Sequence, residues 1–253
     1  MDRIIYTAMN GAARTLEQQS VISNNMANAN TTGFREQFAI YRAVPIVGDG
    51  SLGTRISTVA NTPGFNATLG SVNLTGRSTD VALEGEGWLA VQTPQGEAYT
   101  RNGALVVGAN GLLQNSRGQP VLSADNAVIA VPEGAELTIA GDGTITALGA
   151  GDPPADIQQI GQLKLVNPPA AELVRGDDGL FRRAPVNGQP APPLPQDPLV
   201  RVISGGLEGS NVNTVESMVG MIDNARRYEM QMKVISSASE NASRANGILS
   251  ASQ

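Results

Sequence analysis

The positions of proline and methionine divide this chain of 253 residues into three parts. All fifteen prolines lie between Pro45 and Pro198, and all seven methionines lie outside that interval. Proline lacks the backbone donor that a helix interior needs and clashes with the preceding turn, whereas methionine is a good helix former. The two ends of the chain are therefore predicted to be helical, and the middle is predicted to contain strands and loops.

The first helix is predicted to run from Ile4 to about Asn28, which is about 40 Å at the usual rise per residue. Residues spaced alternately four and three apart predict a seam for helix packing, with Ile22 extending its apolar face: Ile5, Met9, Ala12, Leu16, Gln19, Ser23 and Met26. A solitary surface helix usually carries a charged outer face. Because this segment holds few charges, we expect several of its faces to contact other chains.

A cluster of turn-forming residues ends the first helix. Asn28 and Asn30 tolerate the left-handed conformation that terminates helices, and Gly33 adopts it without steric cost. Phe34 then follows as an apolar anchor. We interpret these four residues as a hinge at the helix end.

The middle of the chain has the pattern of many short strands. Segments rich in β-branched and apolar residues recur about every ten residues and are separated by Gly, Asn and Pro turns, which is typical of an antiparallel barrel or sandwich. Gly141–Gly143 predicts one hairpin turn. Residues 185–198 hold six prolines and are predicted to form an extended surface connection.

The last segment predicts a longer helix, about 55 Å at the usual rise. Asn213 and Glu216 have the spacing of a capping box at its start. A heptad seam continues along the helix with spacings of three and four: Met218, Met221, Ala225, Tyr228, Met232, Ile235, Ser239, Ala242, Asn246 and Leu249.

These patterns predict an α+β fold. The N- and C-terminal helices are expected to form a coiled-coil layer, and the central part an antiparallel β-rich domain. The expected boundaries are residues 1–30 with 211–253 for the helical domain, 31–78 for an extended connecting region, and 79–210 for the β-rich outer domain.

The composition excludes several kinds of active site. The chain has no cysteine and no histidine, so disulfides, thiolate nucleophiles, histidine relays and histidine-ligated zinc are excluded. Its 17 basic residues are outnumbered by 23 acidic ones, the net charge is −6, and no basic cluster supports nucleic-acid binding. No segment has the length and apolarity of a membrane span or of a secretory signal. We therefore expect no catalytic, cofactor or metal site, no nucleic-acid partner, no membrane span and no cleaved signal peptide.

Two patterns could still carry chemistry. Gly48–Gly53 matches the dinucleotide motif G-x-G-x-x-G, but the β-branched residues that follow do not open the helix which must hold a pyrophosphate. The acid pairs Glu84/Glu86 and Asp177/Asp178 could serve as glycosidase carboxylates or calcium ligands, although neighbouring acids in turns are mostly solvated. Neither pattern predicts an enzyme.

Three separated motifs resemble a known family. Ser23–Arg35 resembles the N-terminal signature of the bacterial flagellar rod, hook and hook-associated axial proteins. Asp80–Trp88 with Tyr99–Gly103 is similar to the central motif of the rod and hook members, and Leu207–Val212 with Arg226–Ile235 is similar to their C-terminal signature. The start of the chain and the Arg226–Ile235 segment resemble a proximal-rod member most.

The resemblance implies a structural protein. In this family the terminal helices pack as an inner coiled-coil layer around a channel, the β-rich domain faces outward, and the subunits form the drive shaft that transmits motor torque. It implies copies of itself and other rod proteins as partners, export by the flagellar type III apparatus without a cleaved signal, and a place in the basal-body rod that crosses the periplasm. The implied subunit-interface residues come from both helices: Ile5, Met9, Leu16, Ile22, Met26, Met218, Met221, Tyr228, Met232, Ile235 and Leu249.

Two alternatives stay open. The chain could be a distal-rod or hook protein of the same family, which the sequence separates only by degree of resemblance. A less favoured alternative is a secreted β-rich polysaccharide-binding or lyase protein with helical tails.

Overall fold

The computed structural model describes residues 2–45, 56–60, 64–151, 153–185 and 191–251. The chain divides into two compact units. The helical unit contains residues 1–29, 36–66 and 212–253, and the β-rich unit contains residues 30–35 and 67–211.

Two long helices dominate the helical unit: α1 spans Asp2–Ala27 and α2 spans Thr214–Ala251. They run antiparallel, since Gly11 of α1 lies beside Gln231 whereas Ile22 lies beside Gly220. The predicted N-cap of α2 is confirmed, because Oδ1 of Asn213 accepts hydrogen bonds from the backbone nitrogens of residues 215 and 216 at 3.1 and 3.3 Å.

Four strands accompany the helices in this unit: β1 Gln37–Phe38, β2 Tyr41–Pro45, β3 Ile56–Ala60 and β4 Gly64–Phe65. β1 pairs with β4 and β2 pairs with β3, both antiparallel. The buried side chain of Asn25 fixes β1 to the end of α1, because its amide exchanges two hydrogen bonds with the Gln37 backbone at 2.7 and 2.9 Å.

The described residues of the β-rich unit contain fourteen further strands: β5 Val72–Leu74, β6 Val81–Glu84, β7 Trp88–Thr93, β8 Gly96–Thr100, β9 Leu105–Val107, β10 Leu113–Asn115, β11 Glu136–Ile139, β12 Thr144–Leu148, β13 Gln158–Gln162, β14 Leu165–Val166, β15 Leu173–Arg175, β16 Phe181–Arg183, β17 Arg201–Ser204 and β18 Gly206–Glu208. Single turns of 3₁₀ helix occur at Pro154–Asp156 and Ala170–Glu172.

The largest sheet has five strands in the order β14-β7-β8-β16-β15, and β11-β12-β13 form a three-stranded sheet. Two-stranded ladders join β9 to β10, β6 to β17 and β5 to β18. All of these pairings are antiparallel. Their inward-facing side chains form one apolar core that includes Leu89, Leu113, Ile145 and Leu163.

The observed fold confirms the predicted α+β class, with a helix at each end and antiparallel strands between them. The hairpin predicted at Gly141–Gly143 is present, because β11 and β12 flank it and Gly143 has φ +83°. Residues 191–198 have no regular secondary structure, and 186–190 lie outside the described residues.

The contacts of residues 31–78 divide that expected connecting region between the two units. Residues 36–66 group with the helices, whereas 31–35 and 67–78 group with the strands.

Candidate assembly interface

The antiparallel pair of α1 and α2 is built on heptad-spaced positions that are turned away from solvent. On α1 these positions form the covered seam: Ile5, Ala8, Ala12, Thr15, Gln19, Ile22 and Met26. On α2 the corresponding covered seam is Ser217, Met221, Asn224, Tyr228, Gln231, Ile235, Ala238, Ala242 and Ala245. Small side chains at many of these positions let the two backbones approach closely, as Gly11 does beside Gln231.

The middle of the covered seam is polar. Nδ2 of Asn224 donates to the backbone oxygen of Thr15 at 2.8 Å and lies 3.2 Å from Oε1 of Gln19. The hydroxyl of Thr15 lies 3.1 Å from Oε1 of Gln231. Both Thr15 and Asn224 are buried, so these hydrogen bonds join the helices away from water.

A second heptad seam on α1 faces solvent in this chain. This outer seam has the same spacing as the covered one, carries no charged residue, and every member is exposed: Tyr6, Met9, Ala13, Leu16, Ser20, Ser23 and Ala27. Met9 is 52% and Leu16 53% exposed. Surface helices normally place charges on such a face, so the outer seam has the character of a contact surface.

Helix α2 also exposes apolar side chains, both opposite its covered seam and along the edges of that seam: Val215, Met218, Val219, Ile222, Met230, Met232, Val234 and Ile248. Each helix therefore has one side covered within the chain and carries apolar side chains that are exposed elsewhere.

The interface residues predicted from sequence fall on both sides. Those turned away from solvent are Ile5, Ile22, Met26, Met221, Tyr228 and Ile235, and those exposed are Met9, Leu16, Met218 and Met232. The side chain of Leu249 lies outside the described residues. Along each predicted seam, residues turned away from solvent alternate with exposed residues. Each predicted seam therefore runs along the edge of the contact between the two helices.

Sequence reasoning missed the polar residues that join the helices. Asn224 and Gln231 stand one position before the predicted seam residues Ala225 and Met232. Asn224 and Gln231 are spaced seven residues apart in a series with Ser217 and Ala238. A search for apolar residues at helical spacing does not detect this series, because two of its members are amides.

The predicted helix-end hinge is an anchored turn in the structure. Asn28 donates from its side chain to the Asn24 oxygen at 2.9 Å, and the only described non-glycine residue with positive φ is Asn126, so neither Asn28 nor Asn30 is left-handed. Gly33 has φ +67° as expected. A Cβ on Gly33 would stand 2.4 Å from the backbone of Arg101 and Asn102.

Phe34 lies in a buried site next to this turn. It is 5% exposed, and the guanidinium of Arg175 lies 4.5 Å from its ring centroid. Burial and the nearby charge of Arg117 lower the pKa of Arg175. The anchor predicted at Phe34 is therefore buried and packs against a cation.

A buried ion cluster fixes the same turn within the β-rich unit. The Glu208 carboxylate lies 2.7 Å from Nη2 of Arg35 and 2.5 Å from Nε of Arg101, and all three side chains are nearly inaccessible. Oε1 of Glu208 also accepts from the Gly70 nitrogen at 2.8 Å. Burial lowers the pKa of Arg35, and the Glu208 charge opposes that effect. The backbone nitrogen of Gly33 also donates to the backbone oxygen of Glu208 at 2.8 Å, which attaches the turn to the strand.

The other patterns considered for chemistry give no assembled site. Gly48–Gly53 lies outside the described residues. Glu84 and Glu86 are exposed, and Asp178 pairs with Arg182 at 2.5 Å. Within the described ranges no three acidic side chains are close enough to hold a metal ion. Neither described helix has the length and apolarity needed to cross a membrane.

Three family models match separate parts of the chain. Residues 5–35 match the "Flagella basal body rod protein" model, residues 82–147 match the "Flagellar hook protein FlgE/F/G D1 domain" model, and residues 203–248 match the "Flagellar basal body rod FlgEFG protein C-terminal" model. The matches include most of α1, part of the β-rich unit, and most of α2.

Curated relatives match the chain over its length. It is 54% identical to the flagellar basal-body rod protein FlgF of Escherichia coli (strain K12) and 52% identical to FlgF of Salmonella typhimurium, each over 100% of both chains. Identity to the rod protein FlgG of Agrobacterium fabrum is 35% over 95% of each chain. The chain therefore belongs to the flagellar basal-body rod protein family and is a structural subunit of the basal body, with FlgF-type relatives that match it from end to end.

Proposed function

We propose that this chain is a subunit of the proximal rod and that neighbouring rod subunits pack against the outer seam of α1 and the exposed apolar side chains of α2. Full-length similarity to FlgF supports the proximal position. The observation that carries the packing proposal is the outer seam itself, a charge-free row of exposed residues at heptad spacing.

This arrangement suits an open tube. The exposed apolar surfaces of α1 and α2 differ, so a contact between α1 of one subunit and α2 of the next is heterologous, and it builds an open helical assembly when its rotation does not close into a ring. Repetition of such a contact builds a helical assembly around an axis, with copies of this chain and with other rod proteins. The helices would form the inner wall around the export channel, and the shaft would transmit torque.

The experiment replaces Leu16 in the outer seam. Leu16→Glu places a charge on the proposed contact, and because Leu16 is exposed, the stability of the free chain should change by no more than about 0.5 kcal/mol. We expect cells that carry this variant to lose swimming and to lack complete rods in electron micrographs of basal bodies. Leu16→Met is the matched control, since it keeps an apolar side chain of similar volume, and should swim normally. Normal swimming of Leu16→Glu cells would show that the outer seam is not a subunit contact.

We also propose that the chain reaches the rod through the flagellar type III export apparatus without a cleaved signal. Its lack of cysteine supports this route, because no thiol can form a wrong disulfide in the oxidising periplasm. Export can be measured as the amount of chain in the periplasm of cells with and without an active export apparatus. Intact mass of the exported chain then shows whether a segment has been removed.

A further inference from the structure

We propose that the polar layer in the middle of the helix pair, made by Thr15, Gln19, Asn224 and Gln231, sets the register of α1 against α2. Register here means which turn of one helix lies beside which turn of the other. The proposal concerns pairing within one chain, so it does not depend on the role in the rod.

The covered seams by themselves specify register weakly. Outside the polar layer many of their members are alanine, including Ala8, Ala12, Ala238, Ala242 and Ala245. A shift of one heptad, about 10 Å along the axis, would bring another alanine-rich turn into the same contact. These alanine side chains fit nearly as well after such a shift as before it.

The polar layer does not tolerate this shift. In the observed register, Nδ2 of Asn224 lies 3.2 Å from Oε1 of Gln19, and the Thr15 hydroxyl lies 3.1 Å from Oε1 of Gln231, so two pairs of polar side chains meet across the helices. After a shift of one heptad, the two amides would face alanine, isoleucine or methionine in the α1 seam and lose these side-chain partners. An unsatisfied buried polar group costs more than a typical hydrogen bond contributes.

Space restricts Gln231 in the same way. A Cβ on Gly11 would stand 2.9 Å from Nε2 of Gln231, so the glutamine amide in its observed position fits beside a glycine and would have to move beside any larger residue. Gly11 is the one glycine in α1, so at any other turn the end of the glutamine would meet a Cβ. Hydrogen bonding and shape therefore select the same register.

Polar residues in a coiled-coil seam commonly set register and partner at some cost in stability. The register matters because it fixes the position of the α1 outer seam along the helix axis relative to the exposed apolar side chains of α2. A chain paired one heptad out of place would present two apolar surfaces that are displaced along the axis.

Cysteine pairs can measure the register, since the chain has no native cysteine. Ser23→Cys with Met221→Cys reports the observed register, because Oγ of Ser23 lies 4.0 Å from Sδ of Met221. Leu16→Cys with Met221→Cys reports a shift of one heptad, because Leu16 precedes Ser23 by seven residues on the same side of the helix. A short thiol cross-linker is applied to the purified full-length chain at low concentration, and intramolecular products are compared.

In the native background we expect the Ser23/Met221 pair to cross-link at least about tenfold more than the Leu16/Met221 pair. A tenfold preference is no larger than the net contribution expected from the polar contacts. In an Asn224→Leu, Gln231→Leu background the ratio should fall toward one, while the helical circular dichroism and its melting temperature are kept or raised. Ile235→Leu is the control background, since it changes an apolar seam residue and should keep the native ratio.

Three results would overturn the proposal. The first is an unchanged ratio in the double-leucine background, and the second is loss of helical signal in that background. The third is the absence of preferential cross-linking in the native background.

Discussion

Nη2 of Arg35 lies 2.7 Å from Oε1 of Glu208, with both side chains 1% exposed. Arg101 completes this ion cluster from the other side of the carboxylate. Each residue belongs to a different one of the three motifs by which the sequence resembles the rod and hook proteins. The carbonyl oxygens of Gly85 and Gly87, in the central motif, accept from Arg101 at 2.9 and 2.6 Å. The motifs, which are far apart in sequence, thus meet at one buried carboxylate.

Removing that carboxylate should destabilise the β-rich unit. Glu208→Gln leaves two buried guanidinium groups without their counter-charge, and we expect the free energy of unfolding to fall by about 3–5 kcal/mol. Urea unfolding of the full-length chain, followed by Trp88 fluorescence, gives the value. Glu172→Gln is the control, because the Glu172–Arg183 pair is partly exposed and should cost no more than about 1 kcal/mol. Equal losses in the two variants would show that the cluster adds no special stability.

Adding one methyl group at Gly33, in the anchored turn, should lower the stability of the protein strongly. Gly33→Ala forces a left-handed alanine and brings its Cβ against the backbone of residues 101 and 102. Gly76→Ala is matched, since Gly76 has φ +75° but open space around it. The control should therefore lose about 1 kcal/mol from backbone strain alone, and Gly33→Ala a further 1–3 kcal/mol or so from overpacking. Thermal unfolding compares the two, and similar melting temperatures would contradict the close contact.

Ile235 tests the covered seam. Ile235→Asp places a charge between the helices and should destabilise the helical unit by about 1–3 kcal/mol. We expect circular dichroism to show an earlier loss of helix, while Trp88 fluorescence reports a folded β-rich unit, and cells should lose motility. Ser237→Asp adds the same charge at an exposed position of α2 and serves as the control. A fully motile Ile235→Asp strain would show that the helix pair is dispensable for assembly.

Tyr99 should make the chain sensitive to high pH. Burial, and then the neighbouring Glu97 carboxylate, raise the pKa of Tyr99 above its ordinary value near 10. The unfolded chain therefore loses this proton first, so the stability that Tyr99 contributes is complete below about pH 10 and declines as the pH rises above it. Tyr99→Phe has no proton to lose, so its unfolding free energy should fall less steeply above pH 10. Parallel curves for the two proteins would contradict the raised pKa.

The helices and the β-rich middle could be predicted because their signals are local. Proline disrupts the helix only in its own turn. The turn residues at Gly141–Gly143 and the cap at Asn213 likewise determine the backbone conformation of only a few neighbouring residues. The phase of the helix seams could not be predicted in the same way. Spacings of three and four fit two adjacent seams on α1 equally well, and only contacts with α2 determine which seam is covered.

The ion cluster was beyond the sequence for a different reason. Arg35, Arg101 and Glu208 were each recognisable as parts of motifs, but their pairing depends on how β18 lies beside β5 and on the turn after α1. A charged residue in a motif is usually solvated. Nothing local distinguishes these three from exposed residues such as Arg117 and Glu84.

The position of Glu208 late in the chain has a consequence for the timing of folding. Arg101 pairs with Glu208, which lies 107 residues further along the chain, and Arg35 lies still earlier than Arg101. During synthesis from the N-terminus, both arginines stay without their counter-charge until nearly all of the β-rich unit has been made. Contacts of such long range form slowly because loop closure must come first. The last strand of the unit therefore supplies the counter-charge for both arginines, and a chain that ends before this strand leaves them without that carboxylate.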